Sequence, residues 1–278
     1  MNTSLSRRKL SLNMLEAIVI DIDGTFLNSR EEVPLENIRA VQEALGLGKI
    51  VVFASGRMHI SIDNLVKKAL GRTFPIIAYN GGLVTVNGNT CHIKSLERDA
   101  AAGITASVLK KGLYIQAYVD DELIVPADCD EARAYAEHSG VGFRVEKDLV
   151  DFLKHNDTMK LLVIDNHDVL ARLKTFLEKD FNGIEAFKSF TNYLDIVPKG
   201  TNKGEALVLL SKVMGFDLAA TAAFGDNDND VPLFRACGYA VAMGNATPAA
   251  KFAADSIAPE ADEAGLARSL RCLLNSFD

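Results

Sequence analysis

The stretch that decides the fold is Ala17-Ile18-Val19-Ile20-Asp21-Ile22-Asp23-Gly24-Thr25, an apolar run that ends in two carboxylates and a turn. A short β-branched run without alternation is typical of a parallel strand that is buried on both faces. Open α/β sheets bind ligands at the carboxyl ends of such strands, and alternate side chains of a strand share a side. Asp21 and Asp23 are therefore predicted to face one site, where a cation would offset their repulsion. An Asp-rich turn would explain Asp23 but not Asp21, which ends an apolar strand.

Length, charge and cysteine content limit the classes of protein to which this chain can belong. Its 278 residues suggest about two domains. A net charge of −7 argues against nucleic acid as a partner, because phosphate backbones need basic faces, whereas a small phosphorylated metabolite needs only a positive pocket. The 4 cysteines lack CxxC spacing and no run of about 20 apolar residues occurs, so we expect a cytoplasmic protein with reduced thiols and no membrane span.

The order of predicted elements divides the chain into two parts. Strands first alternate with helices, which predicts a parallel sheet with right-handed crossovers. After Gly82 strands adjacent in sequence favour an antiparallel α+β module, and from Lys203 the alternating order returns. We therefore predict an α/β fold with a doubly wound, mostly parallel, Rossmann-like core at residues 14–83 and 191–278. An inserted α+β domain is predicted at residues 84–190.

The individual elements follow from apolar periodicity and turn residues. Besides the first strand, strands are predicted at residues 50–54, 75–78, 83–86, 90–93, 113–119, 123–125, 160–164, 184–190, 193–197, 221–224 and 239–243. Helices are predicted at residues 34–44, 59–70, 99–109, 130–138, 167–178, 203–214 and 264–274, with a short helix after Asp230. Residues 1–13 lack the apolar segment of a secretory signal and form an N-terminal extension whose order the sequence leaves open.

Polar residues follow three predicted strands of the core: Asp21 and Asp23, then Ser55-Gly56, then Asp226-Asn227-Asp228-Asn229-Asp230. In a parallel sheet these ends lie at one edge. Carboxylates from the first and last of them could hold Mg²⁺ together with water and substrate oxygens. A Ca²⁺-like acidic loop or a solvated turn is the alternative for the last segment. An EF-hand loop would need Glu at its twelfth position, where this chain has Cys237.

Two further segments offer groups that can bind phosphate. Ser55 and Gly56 would present a hydroxyl and backbone N–H groups at the start of a helix, although such a pair is more often a helix cap. Lys203 begins another helix beside Gly204, which permits a close approach, although a lone lysine is usually solvated. The glycine pattern of dinucleotide-binding folds and the Gly-x-Ser-x-Gly pattern of Ser-His-Asp hydrolases do not occur at the positions that those folds require.

The combined motifs resemble those of haloacid dehalogenase-like phosphatases, most closely the Cof-type branch, in which a large α/β cap is inserted between the second and third motifs. The resemblance covers residues 14–278, with Phe26 where Leu is common. It is carried, in order, by Asp21-Ile22-Asp23-Gly24-Thr25, Ala54-Ser55-Gly56-Arg57, Asn80-Gly81-Gly82, Lys203-Gly204 and Gly225-Asp226-Asn227-Asp228-Asn229-Asp230.

This resemblance implies a mechanism and a role for each site residue. Asp21 would attack phosphorus to form an aspartyl-phosphate, and Asp23 would protonate the leaving alcohol and then activate water. Mg²⁺ would be held by Asp21, the backbone carbonyl of Asp23 and Asp226, and Asp230 would orient Lys203 or a metal-bound water. The phosphoryl oxygens would be held by Ser55, the N–H groups of Ile22 and Gly56, Lys203 and Asn229.

The predicted function is a Mg²⁺-dependent phosphatase of small phosphate monoesters, such as sugar phosphates or related metabolites. A sugar phosphomutase of the phosphomannomutase-like type and a non-catalytic phosphate-sensing module are the alternatives. Loss of Asp21 or Asp23 would favour the sensor, and both are present. Residues of the inserted domain that read the substrate, and the oligomeric state, are left open by the sequence.

Overall fold

The computed structural model describes residues 15–275, apart from the side chains of residues 189 and 190. The predicted N-terminal extension at residues 1–13 lies outside the described residues. Within the described range, no helix has the length and apolar character that a membrane crossing requires.

The strands are numbered in chain order. They are β1 (Ala17–Asp21), β2 (Ile50–Ala54), β3 (Ile76–Ala78), β4 (Leu83–Val86), β5 (Asn89–Ile93), β6 (Tyr114–Val119), β7 (Glu122–Val125), β8 (Phe143–Val145), β9 (Lys160–Ile164), β10 (Ile184–Phe190), β11 (Tyr193–Pro198), β12 (Thr221–Gly225), β13 (Tyr239–Ala242) and β14 (Ser256–Ile257).

The helices are numbered in the same way. They are α1 (Leu35–Gly46), α2 (His59–Leu70), α3 (Arg98–Lys110), α4 (Asp130–Ser139), α5 (Leu149–His155), α6 (His167–Asp180), α7 (Lys203–Met214), α8 (Val231–Ala236), α9 (Pro248–Ala253) and α10 (Gly265–Asn275).

The core is an eight-stranded sheet in the order β14-β13-β12-β1-β2-β3-β4-β5. Its strands pair in parallel from β14 to β3, and β4 and β5 add an antiparallel edge. Side chains of α1, α2 and α10 pack on one face of this sheet, and those of α7, α8 and α9 pack on the other. The predicted doubly wound, mostly parallel core is thereby confirmed.

Strand β1 lies near the middle of the sheet, which explains why its sequence is an unbroken apolar run. All five of its residues are buried. Ile18 and Ile20 pack with the α1 and α10 face, whereas Ala17 and Val19 pack with the α7 and α8 face. Because both faces are covered, apolar residues at every position are favourable until Asp21 reaches the sheet edge.

The second sheet has six strands in the order β10-β11-β9-β6-β7-β8 and is antiparallel except for the pairing of β7 with β8. Helices α3, α5 and α6 cover one of its faces with apolar side chains. On the opposite face Tyr118, Leu162 and Tyr193 pack with residues of the core. We call this second layer the cap, because it covers the carboxyl edge of the core strands.

Strand pairing differs from the domain boundaries predicted at residues 84 and 190. The hairpin β4–β5 pairs with β3 in the core sheet, and β11 pairs with β9 and β10 in the cap sheet. The insertion therefore runs from after Ile93 to Pro198. A hairpin is visible in the sequence, but the sheet it joins depends on which strand edge is unoccupied, which the sequence does not show. The division into two separately folding domains stays a prediction.

The elements predicted from periodicity are confirmed, and their ends differ from the predicted ones by at most two residues. Four short elements were not predicted: β8, α5, α9 and β14. They span 3, 7, 6 and 2 residues. Segments this short carry little periodic signal, and tertiary packing determines their conformation.

Helix α7 approaches α8 so closely that its second residue must lack a side chain. A Cβ atom at Gly204 would collide with the backbone carbonyl of Pro232. We expect Gly204→Ala to lower the free energy of unfolding by about 1–3 kcal/mol, the usual penalty of overpacking, measured by urea denaturation.

The matched control is Gly46→Ala in the last turn of α1, where a Cβ atom would meet nothing within 4 Å. Helix propensity should make that variant equally or more stable, by up to about 1 kcal/mol. Equal effects of the two substitutions would contradict the packing described here.

Candidate active site

Three carboxylates that are distant in sequence meet at the carboxyl edge of the core sheet. Strands β1 and β12 are parallel neighbours with Ile20 opposite Phe224, so the residues that follow them lie at the same level. Asp21, Asp226 and Asp230 each have a carboxylate oxygen within 4.8 Å of the others. The structure thus brings together three predicted site residues in the arrangement that the sheet edge implied.

A buried lysine joins two of these carboxylates. Lys203, the first residue of α7, is fully buried, and its Nζ lies 2.6 Å from Asp21 Oδ1 and 2.6 Å from Asp230 Oδ1. Burial alone would lower the pKa of Lys203, but the charges of Asp21 and Asp230 raise it on balance, so the ammonium form persists. The lone lysine is therefore an ion-paired element of the site and is not solvated.

The carboxylates outnumber the cation that faces them. Burial raises the pKa of Asp21 well above its ordinary value of 3.8, and the charge of Asp230 raises it further against the opposing effect of Lys203. Burial and Asp230 likewise raise the pKa of Asp226 from 3.8 to about 7. A second cation would offset the repulsion between the ionised carboxylates. Hard carboxylate oxygens are the ligands that Mg²⁺ prefers.

Asp226 and Asp230 differ in how far hydrogen bonds within the protein use their carboxylate oxygens. Asp226 accepts a side-chain hydrogen bond at Oδ2, from Asn245 Nδ2 at 3.3 Å. Gly24 has a φ of +69°, and a Cβ atom there would collide with the carboxylate of Asp226. In contrast, Asp230 uses both oxygens within the protein: Oδ1 accepts from Lys203, and Oδ2 accepts from the backbone N–H groups of Asp226 (3.0 Å) and Asn227 (3.1 Å). Asp230 therefore anchors the loop after β12, which fits the orienting role predicted for it.

Asp23 is held by an arginine that was not included among the predicted site residues. Arg57 Nε lies 3.0 Å from both carboxylate oxygens of Asp23, and Arg57 Nη2 lies 2.6 Å from Oδ1. The Asp23 side chain is 42% exposed and lines the same cavity as Asp21. In the sequence Arg57 could equally start a helix, so only its position after Ser55-Gly56 signalled this contact.

The loop after β2 contributes the predicted phosphate-binding residues. Ser55 is buried, and its Oγ accepts a hydrogen bond from the Arg57 backbone N–H at 3.1 Å. Ser55 and Gly56 line the cavity together with Asn229. The structure therefore places these three predicted residues beside Asp21, whereas their contact with a phosphate stays a prediction, as does that of the Ile22 N–H.

Asn80 is a second residue that sequence reasoning did not assign to the site. It adopts a left-handed backbone conformation, with φ of 56°, and its Oδ1 accepts from Asn229 Nδ2 at 2.9 Å. Its Nδ2 is buried and has no hydrogen-bond partner within the described residues. The signal that could have identified it is its place in Asn80-Gly81-Gly82, directly after strand β3.

Comparison with known proteins gives consistent matches along the chain. The profile of the haloacid dehalogenase-like hydrolase family matches residues 18–270. The 5-amino-6-(5-phospho-D-ribitylamino)uracil phosphatase YwtE of Bacillus subtilis is 27% identical, over 94% of this chain and 99% of its own. An HMP-PP phosphatase of Yersinia enterocolitica is 28% identical, over 86% and 87%. The crystal structure of TM0651 from Thermotoga maritima superposes with a TM-score of 0.86 at 38% identity, covering 93% of this chain and 97% of that one.

The electrostatics of the carboxylate cluster predict a pH-dependent metal response. We expect Mg²⁺ to raise the thermal unfolding midpoint, because an ion that binds only the folded protein stabilises it. The apparent affinity should weaken by up to about tenfold per pH unit below about 7, where a proton on Asp226 competes with the ion. Without metal, the free energy of unfolding depends on pH in the opposite direction to the Mg²⁺ affinity. Between pH 3.8 and about 7 Asp226 holds this proton in the folded state but not in the unfolded state, so stability falls as pH rises through that window.

Two substitutions in the same loop separate this effect from general ion binding. Asp226→Asn should abolish the Mg²⁺-dependent shift of the midpoint. Asp228→Asn should retain it, because Asp228 is exposed and bonds to the Thr247 hydroxyl instead. A full Mg²⁺ response in Asp226→Asn would exclude Asp226 as a ligand.

Proposed function

Because the chain belongs to the haloacid dehalogenase-like hydrolases, we propose that it is a Mg²⁺-dependent phosphatase that hydrolyses small phosphate monoesters through an aspartyl-phosphate. The observation that carries this proposal is the buried carboxylate of Asp21 at the end of β1, held 2.6 Å from the ammonium of Lys203. A carboxylate so held has a fixed position and a counter-charge, which a nucleophile needs in a buried site. The names of the relatives YwtE and HMP-PP phosphatase support the same class of reaction.

In the first step, a carboxylate oxygen of Asp21 attacks phosphorus while the bond from phosphorus to the leaving oxygen breaks. Lys203 orients the attacking carboxylate and offsets part of its charge. Asp21, Asp226 and the backbone carbonyl of Asp23 would hold Mg²⁺. When bound, this ion supplies positive charge that offsets the charge of the transferring phosphoryl group.

The leaving oxygen receives its proton from Asp23. In the second step water attacks the aspartyl-phosphate, Asp23 accepts the proton of that water, and inorganic phosphate and free Asp21 result. Arg57 fits a positioning role, because its two-pronged contact holds the Asp23 carboxylate at the rim of the cavity. A phosphoryl group would offer the guanidinium a competing anion and so release Asp23 for proton transfer.

The phosphoryl oxygens would be held by residues from three separate loops. Ser55 and the Gly56 N–H come from the loop after β2, the Ile22 N–H follows β1, and Asn229 follows β12. Lys203, beside Asp21, adds positive charge to the same site. Donors fixed in place before the substrate arrives stabilise charge in the transition state without reorganising.

The substrate is proposed to be a small phosphorylated metabolite such as a sugar phosphate. The two named relatives act on a phosphoribitylamino-uracil and on HMP-PP, so similar chains serve unlike leaving groups. This contrast supports a division in which the core performs the reaction and the cap selects the substrate. A cytoplasmic location stays a prediction from the cysteine pattern.

The direct test is release of inorganic phosphate from a panel of phosphate monoesters, with and without Mg²⁺. We expect wild-type release to require Mg²⁺ and Asp21→Asn to lower kcat by at least about 10³-fold, since the amide keeps the shape but is not a nucleophile. Asp228→Asn serves as the matched control and should retain activity.

Three results would contradict the proposal in different ways. Full activity of Asp21→Asn would remove Asp21 as the nucleophile. Return of labelled phosphate to the sugar, without release, would indicate a phosphomutase. Binding of the phosphate esters without turnover of any of them would indicate a phosphate sensor.

A further inference from the structure

The face of the cap sheet that covers the active site is both polar and buried. Successive side chains of β9 and β11 point to opposite faces of the cap sheet. One face, packed against the cap helices, carries Leu161, Val163, Leu194 and Ile196. The other face carries polar side chains that are at most 3% exposed: Gln116, Tyr118, Lys160 and Asp195. Buried polar residues in the middle of a sheet require an explanation, because burying them is unfavourable unless they form hydrogen bonds or ion pairs.

Part of this polar face is satisfied within the cap. Tyr114 Oη donates to Gln116 Oε1 at 2.7 Å, and Gln116 Nε2 donates to the Tyr118 hydroxyl at 2.6 Å. The Tyr118 ring in turn lies 4.7 Å from the ammonium of Lys160. These contacts form a continuous row that ends at the charged pair described next.

Lys160 and Asp195 form a buried ion pair that leaves one oxygen without a hydrogen bond. Lys160 Nζ lies 3.1 Å from Asp195 Oδ1 as an ion pair, and among the described residues no donor, Lys160 included, is aligned for a hydrogen bond to that oxygen. Lys160 Nζ also contacts the carbonyl oxygen of Gly56 at 3.4 Å. The pair therefore reaches from the cap to the predicted phosphate-binding loop.

A buried ion pair with an unsatisfied oxygen is poor evidence for a stabilising role. Removing two charges from water is unfavourable, and their attraction compensates only when the remaining lone pairs are also hydrogen-bonded. Here Asp195 Oδ1 lacks such a bond. A ligand hydroxyl at this point would supply the missing donor, and its oxygen could accept from Lys160.

The pair lines the same cavity as the candidate nucleophile. Lys160 and Asp195 enclose a cavity of about 280 Å³ together with Asp21, Asp23 and Ser55. This volume is near the lower end of the roughly 300–1,000 Å³ typical of small-molecule sites, which suits a compact substrate. A phosphoryl group at Asp21 would direct its leaving group towards the cap.

The basic side chains that line the cavity are already paired with carboxylates. Each of them lies within 4.0 Å of a carboxylate, in the pairs Arg57–Asp23, His138–Glu31 and Lys160–Asp195. A second phosphate would need surplus positive charge, which these pairs do not supply. An uncharged leaving group with several hydroxyls could form hydrogen bonds with the carboxylate of Asp195, the ammonium of Lys160 and the neighbouring tyrosines.

We propose that Lys160 and Asp195 are specificity-determining residues that bind hydroxyl groups of a neutral, polyhydroxylated leaving group. Asp195 Oδ1 accepts from one hydroxyl, and Lys160 Nζ donates to an adjacent hydroxyl oxygen. This inference rests on the proposed phosphatase function and specifies the substrate class of that same cavity.

The test compares two substrates of equal chain length, glucitol phosphate and n-hexyl phosphate, which differ in the hydroxyls alone. Wild-type kcat/KM should favour glucitol phosphate by roughly 100-fold or more, since a site built to bind hydroxyls rejects analogues that lack them. Asp195→Asn should reduce this preference about 10-fold to 100-fold. Turnover of acetyl phosphate, which carries no hydroxyls, should change by less than about threefold.

Two further variants control for folding. The double variant Lys160→Met/Asp195→Leu removes both charges together and should also lose the preference, without leaving a buried charge unpaired. Thr105→Val removes another buried hydroxyl that has no partner within the described residues, on cap helix α3 and outside the cavity, and should retain the preference.

The outcomes separate this inference from the proposed function. If wild type releases no phosphate even from acetyl phosphate, the phosphatase function itself fails. If wild type is active but does not prefer glucitol phosphate, the inference is overturned without any variant. Folded variants that keep the full preference, or that lose activity equally on all substrates, overturn it as well.

Discussion

One buried ammonium group between two carboxylates holds the candidate active site together. Lys203 Nζ contacts Asp21 and Asp230 at 2.6 Å each, and so joins the end of β1, the start of α7 and the loop after β12. Asp21 and Lys203 are separated by 182 positions in sequence. Asp230 extends the arrangement through its bonds to the backbone of Asp226 and Asn227, which fixes the loop that carries a candidate metal ligand. Removing the lysine would leave two buried carboxylates facing each other, a change that typically costs about 3–5 kcal/mol.

The core and the cap contribute different chemistry to one cavity. The core supplies carboxylates and backbone donors from parallel strand ends, whose positions the sheet fixes. The cap supplies a sheet face on which Lys160, Asp195 and Tyr193 lie opposite those groups. Since the cap is a separate sheet inserted into the core, its polar face can differ between proteins without disturbing Asp21. Two relatives of this chain are indeed named for unlike substrates.

The sequence indicated the carboxylate cluster of the core more clearly than the polar face of the cap, for a physical reason. Asp21 ends a buried apolar strand, and a carboxylate at such a position has few explanations apart from a functional site. Arg57, in contrast, is also explained as a residue at the start of a helix. Lys160 and Asp195 are charged residues within apolar strands, but a role for them follows only when it is known which face of the cap sheet lies against the core. The same lack of tertiary information put the hairpin of β4 and β5 on the cap side of the predicted boundary, because the sequence of a hairpin does not show which strand it will pair with.

The central claim is that Asp21 carries the phosphoryl group and Asp23 is needed to remove it. The most direct measurement uses Asp23→Asn with acetyl phosphate, whose leaving group needs no proton, followed by acid quench, borohydride reduction and peptide mass spectrometry. Reduction of an acyl-phosphate converts aspartate to homoserine, so the account predicts homoserine at position 21 that accumulates with time. Phosphate release at the wild-type rate without this product, or homoserine at another aspartate, would contradict the account.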